Sequence, residues 1–222
     1  MEEIFELQRQ LNAFTLKNIG MNYEDTINNP LNKPVWIENY RKALSAELAE
    51  LIREVDEHGL GTQNGKVEIV DMLHFLVSLS HIVGVEPREI DFEFMFSTFR
   101  RANRPFFLGC GPIARPAEEL VALTYGDGFA ACALRCFLAL DDLQNSLKWK
   151  WWAKGGGFKP DKARQTVLTL WGHFVESCAL FGLDFPALKS TYMAKNRVNF
   201  RRQNQQYNED TKTEEDNRSI GA

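Results

Sequence analysis

The chain has 222 residues, 44% of them hydrophobic and 25% charged, which is enough apolar material to bury a core without a disulfide or metal staple. Its formal net charge of −4 gives no general attraction to a phosphate backbone, so nucleic acid is not an expected partner. Cys110, Cys132, Cys136 and Cys178 lack CxxC spacing, no apolar run reaches membrane length, and the acidic start Met1-Glu2-Glu3-Ile4 has no apolar signal core. These features exclude a zinc finger and a spanning helix, and they predict a reduced cytoplasmic protein with core thiols.

In chain order, Leu7, Leu11 and Phe14 fall at three- and four-residue steps and predict an amphipathic helix over 2–18. The Asn- and Pro-rich stretch from Asn18 to Pro34 reads as a loop. Trp36 opens a long helix with Tyr40, Leu44, Leu48, Leu51 and Val55 on its apolar face, ended by Gly59-Leu60-Gly61. A second long helix, Gly65 to Val83, is apolar on more than one side and belongs in the centre of a bundle. Pro87 to Arg104 reads as helical, although the partial alternation of Phe92, Phe94 and Phe96 leaves a strand open. Pro105 to Pro116 is a Gly/Pro linker, and helices are expected at 117–148, 162–181 and 185–205, with Gly155-Gly156-Gly157 between the first two. The polar stretch 208–222 is an expected disordered tail. The fold class is therefore all-α, a helical bundle.

Two acidic pairs stand out, Glu47 with Glu50 and Glu68 with Asp71, each three residues apart on consecutive predicted helices. Residues at that spacing share a helix face. If the helices pair across the 59–65 turn, four carboxylates meet in one cavity, where mutual repulsion makes a cation such as Mg²⁺ the natural neutraliser. A single ExxE more often coats a solvated face. Glu68 and Asp71, however, sit among Val67, Ile69, Val70, Met72, Leu73 and Phe75, where an unpaired charge is costly. Basic residues crowd elsewhere, at Lys148, Lys150, Lys154, Lys159 and Lys162 and again at Lys195, Arg197, Arg201 and Arg202, and could grip a small polyanion.

ALSAELAEL followed by VEIVDMLHF, within Arg41 to Phe75, resembles the two metal-binding motifs of the dimeric dUTPases, members of the all-α NTP pyrophosphohydrolase superfamily. Lys148-Trp-Lys-Trp-Trp-Ala-Lys154 is similar to that family's Trp- and Lys-rich loop, the stretch Thr191 to Tyr207 to its C-terminal KN…NxxRQxxGY motif, and LQRQLN at Leu7 to Asn12 to its first helix. The middle, from Glu86 to about Ala130, matches poorly. Two departures stand beside the matches. The Trp/Lys loop, which the family carries between its acidic motifs, lies about eighty residues later here, and the tail motif ends Gln206-Tyr207 in place of Gly-Tyr. An internal duplication accounts for the first: one repeat over about 1–104 and a degenerate one over about 117–207, within a single domain 1–207. On that alignment Ala139 and Asp142 stand opposite Glu47 and Glu50, and Val167 and Leu170 opposite Glu68 and Asp71.

The resemblance implies Mg²⁺-dependent hydrolysis of dUTP to dUMP and pyrophosphate, with two or more ions held by Glu47, Glu50, Glu68 and Asp71 and with Mn²⁺ as a substitute. On the same resemblance Glu50 and Glu47 would be the catalytic carboxylates, with Glu50 nearest the attacking water. Lys150, Lys154, Lys195, Arg202 and Tyr207 would contact phosphates. Trp149 would stack on the base, while Gln8, Asn12, His74 and Asn199 would read the pyrimidine edge. The bland readings are a basic solvated surface for Lys154, core packing for at least one of Trp149, Trp151 and Trp152, and a satisfied core histidine for His74. Trp36 and Trp171 read as core anchors, and His173 as structural. The alternatives to a dUTPase are a dCTPase or broader deoxynucleotide pyrophosphohydrolase, and a non-catalytic binding protein on the same fold. The expected partners are a deoxynucleotide and a second copy in a homodimer, or no second copy if the two repeats mimic the dimer within one chain; no membrane partner is expected.

Overall fold

In a computed structural model of the chain, residues 1–102 and 127–204 are described. Among them the secondary structure is entirely helical: α1 (Glu2–Asn18), α2 (Tyr23–Asn28), α3 (Lys33–His58), α4 (Gln63–Val83), a 3₁₀ turn (Pro87–Glu89), α5 (Phe92–Ala102), α6 (Asp127–Gln144), α7 (Pro160–Leu180) and α8 (Phe185–Asn204). The expected all-α class is what the chain adopts.

The boundaries follow local chemistry. Pro34 sits in the first turn of α3, where its missing N–H has no helical partner to lose. Gly59, at φ 80, breaks that helix. Thr62 then caps α4 by accepting from the Gly65 backbone N–H at 3.0 Å, and Gly84 ends α4 in the left-handed conformation. The Asn18–Pro34 region, expected as a loop, contains α2; the Asn22 side chain caps it by accepting from Asp25 N–H, and Tyr23, Thr26 and Ile27 are buried. An asparagine that reads as a turn former is equally a helix cap, and burial decided between the two. The Phe-rich 92–102 stretch is helical rather than extended, with Phe92 buried against Phe96 and Phe185 and Phe94 exposed.

α4 is the centre of the molecule. Helix α3 packs against it in the opposite direction, as the contacts Tyr40–Phe75 and Asn64–Glu54 show. α7 also runs antiparallel to α4: Trp171 Nε1 donates to Ser80 Oγ at 2.9 Å, while Phe181 lies over Gly65. α6 and α7 form a second hairpin, joined by Arg135–Glu176 at one end and Lys162–Asp142 at the other. α1 and α8 run parallel to each other, as Lys189–Glu3, Tyr192–Ile4 and Phe14–Phe200 record, and close the remaining side of α4. With neighbours on every side, α4 buries both its apolar residues and Glu68, His74, Ser78 and Ser80, which explains its two-sided hydrophobicity.

Two tryptophan expectations need correction. Trp171 is a core anchor, 1% exposed, but Trp36 is only half-buried and stands against Tyr40. None of Trp149, Trp151 and Trp152 packs in the core; they are 39%, 82% and 63% exposed on the loop between α6 and α7. That loop is pinned at its neck, where Lys159 N–H donates to the Ser146 carbonyl at 2.8 Å, so its apolar rings are held away from the interior. Cys132, Cys136 and Cys178 are buried free thiols, as expected. The expected linker 105–116, the beginning of the helix at 117, Cys110, Tyr207 and the tail 208–222 lie outside the described residues.

Candidate active site

Helical spacing brings the acidic residues together. Glu47 and Glu50 are three apart on α3, and Glu68 sits on the face of α4 that meets them. One carboxylate oxygen from each of Glu47, Glu50 and Glu68 lies within 4.8 Å of the others. Glu68 is buried, Glu47 half-buried and Glu50 exposed, so the cluster runs from the interior to the surface. Oxygen-only donors at such separations suit a hard divalent cation that keeps part of its water shell. Asp71, three residues after Glu68, is engaged differently: the Lys195 ammonium lies 2.6 Å from its Oδ2, and this lysine is 3% exposed.

Beside the cluster opens a cavity of about 320 Å³ walled by α1, α3, α4 and α8. Its lining includes Gln8, Asn12, Trp36, Tyr40, Glu47, Asp71, His74, Lys195, Asn199 and Arg202. Gln8 and Asn12 are one turn apart on α1, and Lys195, Asn199 and Arg202 follow one another on a single face of α8. Eight of the residues singled out in the sequence thus converge from four helices on one space. Glu47 belongs to both features, lining the cavity and contributing to the carboxylate cluster.

The inner wall is a hydrogen-bonded polar layer. His74 Nδ1 is 2.6 Å from Gln8 Oε1, which also accepts from Tyr192 Oη at 3.0 Å. Gln8 Nε2 donates to Asn12 Oδ1 at 2.8 Å, and the His74 and Tyr192 rings stack with centroids 4.5 Å apart. Burial, with the nearby Lys195 charge adding to it, pushes the His74 pKa down to about 3, so the ring is neutral. Further along, Tyr23 Oη contacts His81 Nδ1 at 3.2 Å, and burial lowers His81 to about 4.

Trp149, Lys150 and Lys154 do not line this cavity. They ride the exposed α6–α7 loop, where Lys150 Nζ stands 4.9 Å from the Trp149 ring centroid and Trp149 Nε1 donates to Asn145 Oδ1. His173 packs beside Glu176 on α7, 3.7 Å away. In the second hairpin Ala139, Val167 and Leu170 are buried and apolar, and Asp142 is an exposed partner of Lys162, so no second carboxylate cluster forms among the described residues there. The sequence reading missed Ser78, Tyr192, Trp36 and Tyr40 as site neighbours. Ser78, one turn after His74, and Tyr192, one turn before Lys195, were visible only as helix-periodic positions.

A cavity that carries polar and charged side chains, with a three-carboxylate cluster beside it and Glu47 common to both, could take a charged small molecule together with a cation. A sequence model of the dUTPase family, the dimeric all-α dUTPases, matches residues 1–109 of the chain. No curated protein matches the chain. The matched region carries Gln8, Asn12, Glu47, Glu50, Glu68, Asp71 and His74, whereas Lys195, Asn199 and Arg202 lie beyond it and reach the same cavity through the fold. No single helix among the described residues is long and apolar enough to cross a membrane.

Proposed function

We propose that the protein hydrolyses dUTP to dUMP and pyrophosphate with a divalent cation, Mg²⁺ in the first instance. The observation that carries this reading is the position of Glu47, which belongs both to the carboxylate cluster and to the lining of the neighbouring cavity. In the proposed reaction water adds across the α–β phosphoanhydride, and the P–O bond that breaks releases dUMP and pyrophosphate.

Glu47, Glu50 and Glu68 would hold the cation, with Asp71 joining as Lys195 is drawn to the polyphosphate. When bound, the cation supplies positive charge beside the phosphate oxygens and acidifies water. Glu50, the exposed carboxylate of the three, would take the proton of the attacking water. Lys195 and Arg202, on one face of α8, would meet phosphate charge, while His74 and Asn199 would face the base. Lys150, Lys154 and Trp149 would reach the phosphates and base only by movement of the α6–α7 loop or from a second copy of the chain. The core thiols suit a reducing compartment.

The test is turnover of dUTP, dCTP, dTTP and dATP with and without Mg²⁺. Preferred release of pyrophosphate from dUTP, abolished by chelation and restored by Mg²⁺ or Mn²⁺, is the expected result; equal turnover of all four would discard the dUTP assignment. Glu68→Gln and Glu50→Gln should each lower kcat by about 10²-fold or more with unchanged helical circular dichroism. Wild-type rates in both variants would remove the site.

A further inference from the structure

At the inner end of the cavity the hydrogen bonds have a direction that one serine determines. Ser78, fully buried on α4, donates its hydroxyl proton to the His74 carbonyl oxygen at 2.8 Å. A carbonyl has no proton to return, so Ser78 Oγ can only accept from its other neighbours. The competing donation, to Asn12 Oδ1, is longer at 3.4 Å. Two amides reach the serine oxygen, Asn12 at 2.9 Å and Gln8 at 3.2 Å, and each must therefore present its NH₂ group.

For Gln8 this turns Oε1 the other way, toward Tyr192 Oη and His74 Nδ1. An amide oxygen only accepts, so the imidazole must supply a proton from Nδ1. His74 is then the Nδ1–H tautomer, and its Nε2 carries a lone pair. That nitrogen lies 3.5 Å from Asn199 Nδ2, a contact at the long limit that leaves it open to a better donor. Gln8 and Asn12 line the same cavity, but their amide protons are committed: Gln8 Nε2 to Asn12 Oδ1 and Ser78 Oγ, Asn12 Nδ2 to Ser78 Oγ and Tyr23 Oη.

We propose that Ser78 and Tyr192 are positioning residues that lock His74 as a hydrogen-bond acceptor, and that this acceptor selects a pyrimidine presenting an N–H group. Gln8 and Asn12 hold the circuit instead of reading the base. The inference rests on the nucleotide reading of the cavity. His74 Nε2 beside Asn199 Nδ2 offers an acceptor next to a donor, which is met by N3–H with O4 in uracil and by N4–H with N3 in cytosine. The shared chemistry is an N–H donor next to an acceptor on one edge of the pyrimidine. The depressed basicity of His74 keeps the acceptor available at every working pH.

The test uses the full chain labelled with ¹⁵N at histidine. The His74 resonances should be pyrrole-type at Nδ1 and pyridine-type at Nε2 from pH 5 to pH 8, and the Nε2 resonance should move when dUMP or dCMP is added. Titrations with dUMP against 3-methyl-dUMP, and dCMP against N4,N4-dimethyl-dCMP, identify the base, because the methylated member of the recognised pair should bind about tenfold or more weakly. Ser78→Ala should mix the two tautomers and narrow that preference. Tyr192→Phe serves as the second variant if Ser78→Ala does not fold, and a purely structural role for either residue would lower Tm while leaving the tautomer unmixed. An Nε2–H signal in the wild type, or equal affinity within both pairs, overturns the proposal. Turnover measured on the same sample reports on hydrolysis separately: the expected tautomer and base preference without pyrophosphate release would count against the enzyme and for the lock.

Discussion

His74 shows what a single residue gains and loses by its place. In solution its imidazole titrates near 6.5, whereas inside α4 burial holds it at about 3, and His81, about two turns further along, falls to about 4. The unfolded chain therefore takes up these protons before the folded one does. Stability is whole above pH 6.5 and is lost as pH falls toward 3, because the unfolded state binds more protons across that window. At pH 5 the His74 share alone is about 2 kcal/mol. Urea unfolding at pH 7 and pH 5 should record a loss of at least that size, and His74→Gln should remove the His74 part while leaving that of His81; identical midpoints at the two pH values would contradict the burial of neutral rings. Lys195 and Asp71 state the complementary rule, since a lysine so deeply buried is tolerable where a carboxylate sits at 2.6 Å. The sequence marked both residues but not as partners of each other, because their pairing spans α4 and α8.

At the level of elements, the contact between α4 and α7 is the tightest constraint on the acidic helix. Gly65, in the first turn of α4, faces the Phe181 ring closely enough that an added Cβ would lie 2.6 Å from Phe181 Cε1. Alanine ordinarily favours a helix over glycine by up to about 1 kcal/mol, but here the close approach outweighs propensity. Gly65→Ala is expected to destabilise by about 1–3 kcal/mol through overpacking, and adding Phe181→Leu should recover part of the loss. A Gly65→Ala variant as stable as the parent in urea would show that the ring moves aside freely. Most of the elements themselves could be read in advance: the three-four periodicity placed α1, α3, α4, α7 and α8 to within a few residues. The exception is α2, because Asn22 and its neighbours carry no apolar repeat long enough to announce a helix.

For the whole molecule, the fold places its tryptophans in opposite surroundings, Trp171 sealed between α4 and α7 and Trp149, Trp151 and Trp152 in solvent. If the α6–α7 loop engages nucleotide, dUMP with pyrophosphate and Mg²⁺ should shield its rings from acrylamide, while Trp171 stays unquenched throughout. Quenching of Trp151 and Trp152 that nucleotide leaves unaltered would detach the loop from the proposed function.

By itself the sequence determined the helical class and the central place of α4, which follow from local periodicity, and it named antiparallel pairing of the two acid-bearing helices as the condition under which their carboxylates meet. It also marked Gln8, Asn12, Glu47, Asp71, His74, Lys195, Asn199 and Arg202, which share one cavity. Only the tertiary structure decided that Lys195 answers Asp71, that Ser78 sets the polarity of the inner wall and that the Trp/Lys loop stands apart from the cavity. Those outcomes depend on which faces of distant helices meet, and hydrogen-bond direction and ion pairing exist only after they have met.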